Sequence, residues 1–123
     1  MRVSIRNLGV IKEATIELKP LTVLIGPNNA GKTWIAYSLA GILGPFGSEE
    51  YAQAYADKKV PNTYESLDTA IERVLAEGNA TIDLRRFAEE HGEKYFNDVA
   101  QYARTWMRRF FSTQLARFDD LDI

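Results

Sequence analysis

The stretch Leu21-Thr22-Val23-Leu24-Ile25-Gly26-Pro27-Asn28-Asn29-Ala30-Gly31-Lys32-Thr33 decides how this chain is read. Four of its first five positions are apolar and two of those are β-branched, the composition of a strand buried on both faces of a sheet. Residues 26–33 then match the phosphate-binding pattern G-x-x-x-x-G-K-[ST]. A helical run over residues 34–43 follows, and Gly44-Pro45 stops it. A buried strand, a glycine-bounded loop and a helix in direct succession are the setting this pattern requires.

Each residue type in the loop has a physical job. Gly31 lacks a Cβ and lets backbone N–H groups converge on phosphate oxygens, while Asn28 and Asn29 tolerate the unusual φ values of an anion-binding nest. Gly26, Pro27 and Ala30 complete the turn of backbone around the phosphates. Lys32 supplies a point charge to the β and γ phosphates, and Thr33 offers a hydroxyl to Mg²⁺. A helix starting near Lys32 directs free N–H groups and the positive end of its dipole at the same place. The expected ligand is therefore a nucleoside triphosphate with Mg²⁺. Ile35, Ala36, Leu39, Ala40 and Leu43 are expected only to pack the helix.

Upstream, Val3-Ser4-Ile5-Arg6-Asn7-Leu8 and Ala14-Thr15-Ile16-Glu17-Leu18 alternate apolar and polar positions around Gly9, predicting two paired strands. Downstream of Pro45 the pattern turns helical, with Phe46-Gly47-Ser48 as the expected joint between residues 1–44 and 45–123. A short helix is predicted over 49–60. A second follows Pro61-Asn62, where Asn62 and Glu65 have capping-box spacing; it places Leu67, Ala70, Ile71, Val74 and Leu75 on one face and ends at Gly78-Asn79. A third is expected over 84–90, stopping at His91-Gly92, with His91 as a favourable charge at its C-terminus. The last, over 93–118, carries Tyr95, Phe96, Val99, Tyr102, Ala103, Trp106 and Phe110 on one stripe. That stripe, with Arg104, Arg108 and Arg109 beside it, reads as a packed face with charges outside rather than a nucleic-acid surface. Glu89, Glu90 and Glu93 read as a solvated face, as do Lys12 and Lys19.

The 123 residues, 46% apolar and 26% charged, fit one small soluble domain. With no Cys and a single His there is no disulfide framework, thiolate nucleophile or Cys/His metal cage, and a reducing cytoplasmic compartment is expected. Net charge is −2 but unevenly spread: residues 1–44 hold five Lys/Arg against two acids, and residues 45–123 ten against fifteen. Bulk attraction to nucleic acid or membrane is not expected, and no run reaches the ~18 apolar residues of a membrane span.

Residues 1–44, with Ile5-Arg6-Asn7-Leu8 and Leu18-Lys19-Pro20 leading into Gly26-Pro27-Asn28-Asn29-Ala30-Gly31-Lys32-Thr33, resemble the N-terminus of ABC-type ATPases of the SMC, RecF and overcoming-lysogenization-defect group. The resemblance implies an antiparallel β-subdomain beside the nucleotide, residues 28–32 around the phosphates, Mg²⁺ at Thr33, and Arg6 and Asn7 approaching from the side. It also implies a Walker B strand, a signature L-S-G-G and a glutamine loop. Ala80-Thr81-Ile82-Asp83 is too polar for Walker B, and Phe118-Asp119-Asp120 follows a helix; Gln53, Gln101 and Gln114 all sit in helical patterns.

The resulting expectation is an α/β, partial P-loop NTPase fold: N-terminal antiparallel strands, a Walker A strand-loop-helix, and a mostly helical second half resembling an insertion. The chain is read as the ATP-binding N-terminal piece of a larger ATPase in DNA repair or anti-phage defence. No catalytic base is assignable, and the expected partners are a second ATPase copy or the missing C-terminal half, with DNA met through the full-length protein and no membrane. The competing readings are a non-catalytic helical interaction module with a vestigial loop, and a small P-loop kinase or GTPase. The GTPase lacks support for want of N-K-x-D and D-x-x-G sequences, the kinase for want of an Asp-containing second strand and a lid.

Overall fold

The computed structural model describes residues 1–113 and 118–123. Strands β1 (Arg2–Leu8) and β2 (Ile11–Glu17) are followed by helices α1 (Lys32–Leu43), α2 (Pro45–Ala56), α3 (Glu65–Glu77) and α4 (Leu84–Phe110). The two strands pair antiparallel, with Val3 opposite Ile16 and Ile5 opposite Ala14 on the inner face. On the outer face the Ser4 and Thr15 hydroxyls lie 3.4 Å apart and Arg6 Nε donates to Glu13 at 3.1 Å. The alternation seen in the sequence is thus the alternation of burial.

A short segment of the C-terminus joins this hairpin. Arg6 and Asp122 exchange backbone hydrogen bonds, Arg6 N–H to Asp122 C=O at 2.7 Å and Asp122 N–H to Arg6 C=O at 3.2 Å. The pairing seats Phe118 and Leu121 in the same buried cluster as Ile5, Leu8, Ile11 and Ile42.

Residues 21–25 are a correction: they form no strand, and Leu21, Val23 and Ile25 are 82%, 70% and 89% exposed. A strand needs neighbours for its ladder and its apolar faces, and no described segment pairs with this one.

The helices depart from the sequence reading in four places. Phe46-Gly47-Ser48 is no joint, because α2 begins at Pro45, directly after the Gly44 cap of α1. Proline's fixed φ and missing N–H suit a first helical position. Gly47 lies inside α2 because a Cβ there would sit 2.6 Å from the Gly41 carbonyl and 3.1 Å from the Trp106 ring. The capping box at Asn62 is absent; the N-cap of α3 is Tyr64 with no side-chain cap, because the Asn62 amide donates to Asp98 instead. Residues 84–110 form one helix, so neither Gly92 nor His91 ends it. A mid-helix glycine costs about 1 kcal/mol, and ring contacts across the break offset it: Phe87 and His91 each lie 5.5 Å from Tyr64, and Tyr95 lies 5.5 Å from Phe87. Asp83 caps α4, accepting from the Arg86 N–H at 3.1 Å. Within α1, finally, Ser38, Gly41 and Ile42 are buried while Ala36, Ala40 and Leu43 are exposed, so those three do not pack as expected.

The aromatic stripe of α4 is core. Val99, Ala103, Trp106 and Met107 are buried, whereas Arg109 pairs with Glu50 and Arg108 lies 4.0 Å from Asp119 at the surface. Trp106 packs with Phe46 and Phe110 at 5.3 and 5.8 Å and sits where α1, α2 and α4 meet.

One buried carboxylate fastens the α2–α3 connection. Asp98, 8% exposed, accepts from the Tyr64 hydroxyl at 2.5 Å, the Tyr51 hydroxyl at 3.2 Å and the Asn62 amide at 2.6 Å. Beside it the Tyr55 hydroxyl donates to Asp68 at 2.6 Å and accepts from the Tyr64 N–H at 2.7 Å. Asp98→Ala is expected to lower unfolding free energy by about 3 kcal/mol, since two buried phenols and a half-buried amide lose their acceptor, and Asp98→Asn by less; urea denaturation checks both.

Burial, aided by the hydrogen bond to Asp68, pushes the Tyr55 hydroxyl up to about 12. Burial and the Asp98 carboxylate raise Tyr51 and Tyr64 further. A raised phenol stabilises the fold fully below its unfolded value of 10.0 and loses that contribution as pH climbs through the folded value. Urea midpoints are expected to fall from about pH 10 upward, less steeply in Tyr55→Phe; a flat profile to pH 12 refutes this.

Candidate nucleotide-binding loop

Local backbone geometry sets the loop ahead of α1. Asn29 adopts φ 62° and Gly31 φ 89°, both left-handed, whereas Asn28 does not. The Ala30 N–H turns back toward the Pro27 carbonyl at 3.4 Å. Gly31 caps α1 without any side-chain hydrogen bond, and no acid occupies the first helical turn. The backbone N–H groups of Gly31, Lys32, Thr33 and Trp34 donate to no acceptor among the described residues, and the first ladder bond is Ile35 N–H to Gly31 C=O at 3.0 Å. Four consecutive free donors at a helix start form a positive, anion-ready end.

Lys32 folds back over the loop. Its ammonium donates to the Gly26 carbonyl at 2.7 Å and the Pro27 carbonyl at 2.5 Å, which holds a positive charge at the mouth of the loop. The Thr33 side chain is exposed.

Two contacts hold this loop against the hairpin, and the sequence reading missed both. A Cβ on Gly31 would stand 2.5 Å from Ile11 Cγ1, so the end of the loop lies directly on the start of β2. A Cβ on Gly9 would stand 2.6 Å from the Trp34 ring, so the hairpin turn lies on the first turn of α1. Trp34 in turn packs on Phe111 at 4.7 Å and Phe118 at 6.2 Å. Gly9 was legible as a turn, but nothing in its neighbours signals that its missing side chain makes room for an indole from residue 34.

Arg6 and Asn7 are each taken up by other partners. Arg6 is paired with Glu13 and Asp122, and the Asn7 amide donates to the Asp120 carbonyl at 3.0 Å. Gln53 donates to Asp57 on its own helix at 3.1 Å, Gln101 lies exposed on α4, and Gln114 falls outside the described residues. Asp83 is occupied as a helix cap. No group of three or more His, Asp or Glu side chains positioned for a metal occurs among the described residues, and no described helix is long and apolar enough to cross a membrane.

The family model described as an AAA ATPase domain matches residues 1–106 of the chain. The chain belongs to the AAA ATPase domain family. Comparison with the curated proteins and with the solved structures gave no match. For this AAA ATPase domain chain, family membership carries nucleotide use, typically with Mg²⁺. Its own residues fit such a ligand in charge and in donor type: free N–H groups, an ammonium and an exposed hydroxyl lie at one helix end.

The close approach of Gly31 to Ile11 gives a test of how the loop is held. Gly31→Ala imposes a left-handed φ on a residue with a Cβ and forces that atom into Ile11, an expected loss of about 2 kcal/mol. Ile11→Ala alone also destabilises, but the double variant should lose clearly less than the summed single losses. Full additivity in urea denaturation would show that the two residues do not touch.

Proposed function

We propose that this chain is the ATP-binding segment of an ATPase and that Gly26, Pro27, Asn28, Asn29, Ala30, Gly31, Lys32 and Thr33 hold the nucleotide's phosphates, with Thr33 at Mg²⁺. The observation that carries this reading is the row of free N–H groups from Gly31 to Trp34 at the start of α1, directly after the G-x-x-x-x-G-K-T sequence. Those amides donate to phosphate oxygens, and the Lys32 ammonium exchanges the Gly26 and Pro27 carbonyls for the β and γ oxygens. Such charge-assisted bonds are shorter and about twice as strong as neutral ones, which favours the exchange. The Thr33 hydroxyl supplies an oxygen to Mg²⁺, the hard-cation ligand that ion prefers.

The loop wording G-P-N-N-A-G-K-T supports kinship with the SMC, RecF and overcoming-lysogenization-defect ATPases, and with it a role for the whole protein in DNA repair or anti-phage defence. On this reading residues 1–44 form the nucleotide-binding subdomain and residues 45–123 a helical insertion. The exposed Leu21, Val23 and Ile25 support a further partner: strands from a C-terminal half of the ATPase, or a second ATPase copy, would cover them and bring the carboxylates that hydrolysis needs.

Calorimetric titration of the purified chain with ATP and with GTP, with and without Mg²⁺, tests the reading. Expected is Mg²⁺-dependent ATP binding that weakens at least about tenfold in Lys32→Ala, as for loss of one charged phosphate contact, without steady turnover. No binding by the folded chain, or binding that Lys32→Ala leaves unchanged, would overturn the assignment of the loop.

A further inference from the structure

Away from the nucleotide loop, α2, α3 and α4 splay apart around an open apolar cavity of about 660 Å³. Its walls include Ala52 and Ala56 of α2, Ile71 and Leu75 of α3, and Ala88 and Gly92 of α4. The amphipathic face of α3 is only partly used by the fold. Ala70 is buried, and Leu67 and Ile71 pack against the core, but Val74 and Leu75 are 47% and 82% exposed. Across the opening, Leu84 and Phe96 of α4 are 74% and 42% exposed. These exposed residues line the same open cavity, which has the form of a groove that takes the apolar stripe of a helix.

Charge around the groove selects among helical occupants. Asp68 and Glu72 share one adjoining depression with Ile71 and Leu75, and Glu89 and Glu93 share another with Gly92. None of these four acids is in an ion pair among the described residues. Of the nearby cations, Arg86 is taken up by Glu90 and Lys94 by the Tyr64 ring and the Thr63 carbonyl, which leaves Lys58, Arg73 and Arg85, fewer than the four unpaired acids. A second copy docking through this same face would set the acidic lips against each other, and an anionic lipid surface would be repelled; like charges brought together at an interface suppress association. We propose that the groove between α2, α3 and α4 seats an amphipathic helix of a partner protein whose apolar stripe is flanked by Lys and Arg. The assignment does not depend on nucleotide binding.

A fluorescently labelled Leu/Lys amphipathic peptide of about 18 residues, five helical turns, is the probe, alongside a Leu/Glu counterpart and a scrambled Leu/Lys peptide with no apolar stripe. Anisotropy of the full chain at physiological salt is expected to show saturable binding of the Leu/Lys helix only. Ala88→Trp fills the groove from an exposed position and should weaken that binding at least about tenfold, the loss of one packed anchor. Ala52→Trp, on the opposite wall and also exposed, provides the same test should the first variant fail to fold. The triple change Glu72→Lys, Glu89→Lys, Glu93→Lys should weaken the Leu/Lys peptide and admit the Leu/Glu one. Equal binding of the scrambled peptide, binding unchanged in both tryptophan variants, or no binding at all would overturn the proposal. So would a dimer in sedimentation that Ala88→Trp dissolves, which would make a second copy the occupant.

Discussion

Trp106 is the constraint on which the helical frame depends. The side chain is fully buried at the point where α1, α2 and α4 meet, and two glycines make the space for it: a Cβ on Gly41 or Gly47 would come within 3.2 or 3.1 Å of its ring. A large rigid indole set among small residues fixes interhelical distance more tightly than an aliphatic side chain with many rotamers does. The consequence reaches the loop at residues 26–33. The position of α1 is set at one end by Trp106 and at the other by Trp34 on the hairpin turn, so the free N–H groups at its start are held by packing on both sides. The helix end is presented by the fold, not by the loop alone.

Asp98 does a different job with polar chemistry. A buried carboxylate without a cation is costly unless its oxygens are filled by donors, and here two phenols and an amide from the α2–α3 region fill them. Apolar contacts at the same place would be satisfied by many sliding arrangements of the connection. Three directed hydrogen bonds on one acceptor are satisfied by very few, so Asp98 specifies where α3 begins while the rest of that helix remains thinly packed.

Legibility in the sequence followed the range of the physics involved. The hairpin, the start of α1 at Lys32, the stop at Gly44 and the end of α3 at Gly78 were all readable, because alternation, a Gly-Pro pair that stops a helix and a glycine in the left-handed region at a C-cap act over a few residues. Three of the misreadings involve a distant partner. Gly92 looks like a helix end until Tyr64, Phe87 and Tyr95 are seen to bind the two halves of α4 together. Asn62 looks like a cap until Asp98 claims its amide. Residues 21–25 look like a central strand, and their apolarity is unchanged, but a strand's identity lies in its neighbours and none is present among the described residues. For the candidate site, the loop residues and their chemistry were legible; the seating of Gly31 on Ile11 and of Trp34 on Gly9 was not, since both are long-range contacts made where a side chain is missing.

The pairing of Arg6 with Asp122 bears on the order in which this chain can acquire structure. The nearby bond from Asn7 to Asp120 spans 113 positions of sequence, so the hairpin and the last described segment can meet only after almost the whole chain is available. Closing so large a loop is entropically expensive until the intervening helices have shortened it. Prior formation of α1, α2 and α4 around Trp106 would shorten that loop and ease the pairing of Arg6 with Asp122. On a ribosome releasing some 5–20 residues per second, the hairpin would wait several seconds with the outer edge of β1 unpaired, an interval in which a passing extended segment is its natural competitor.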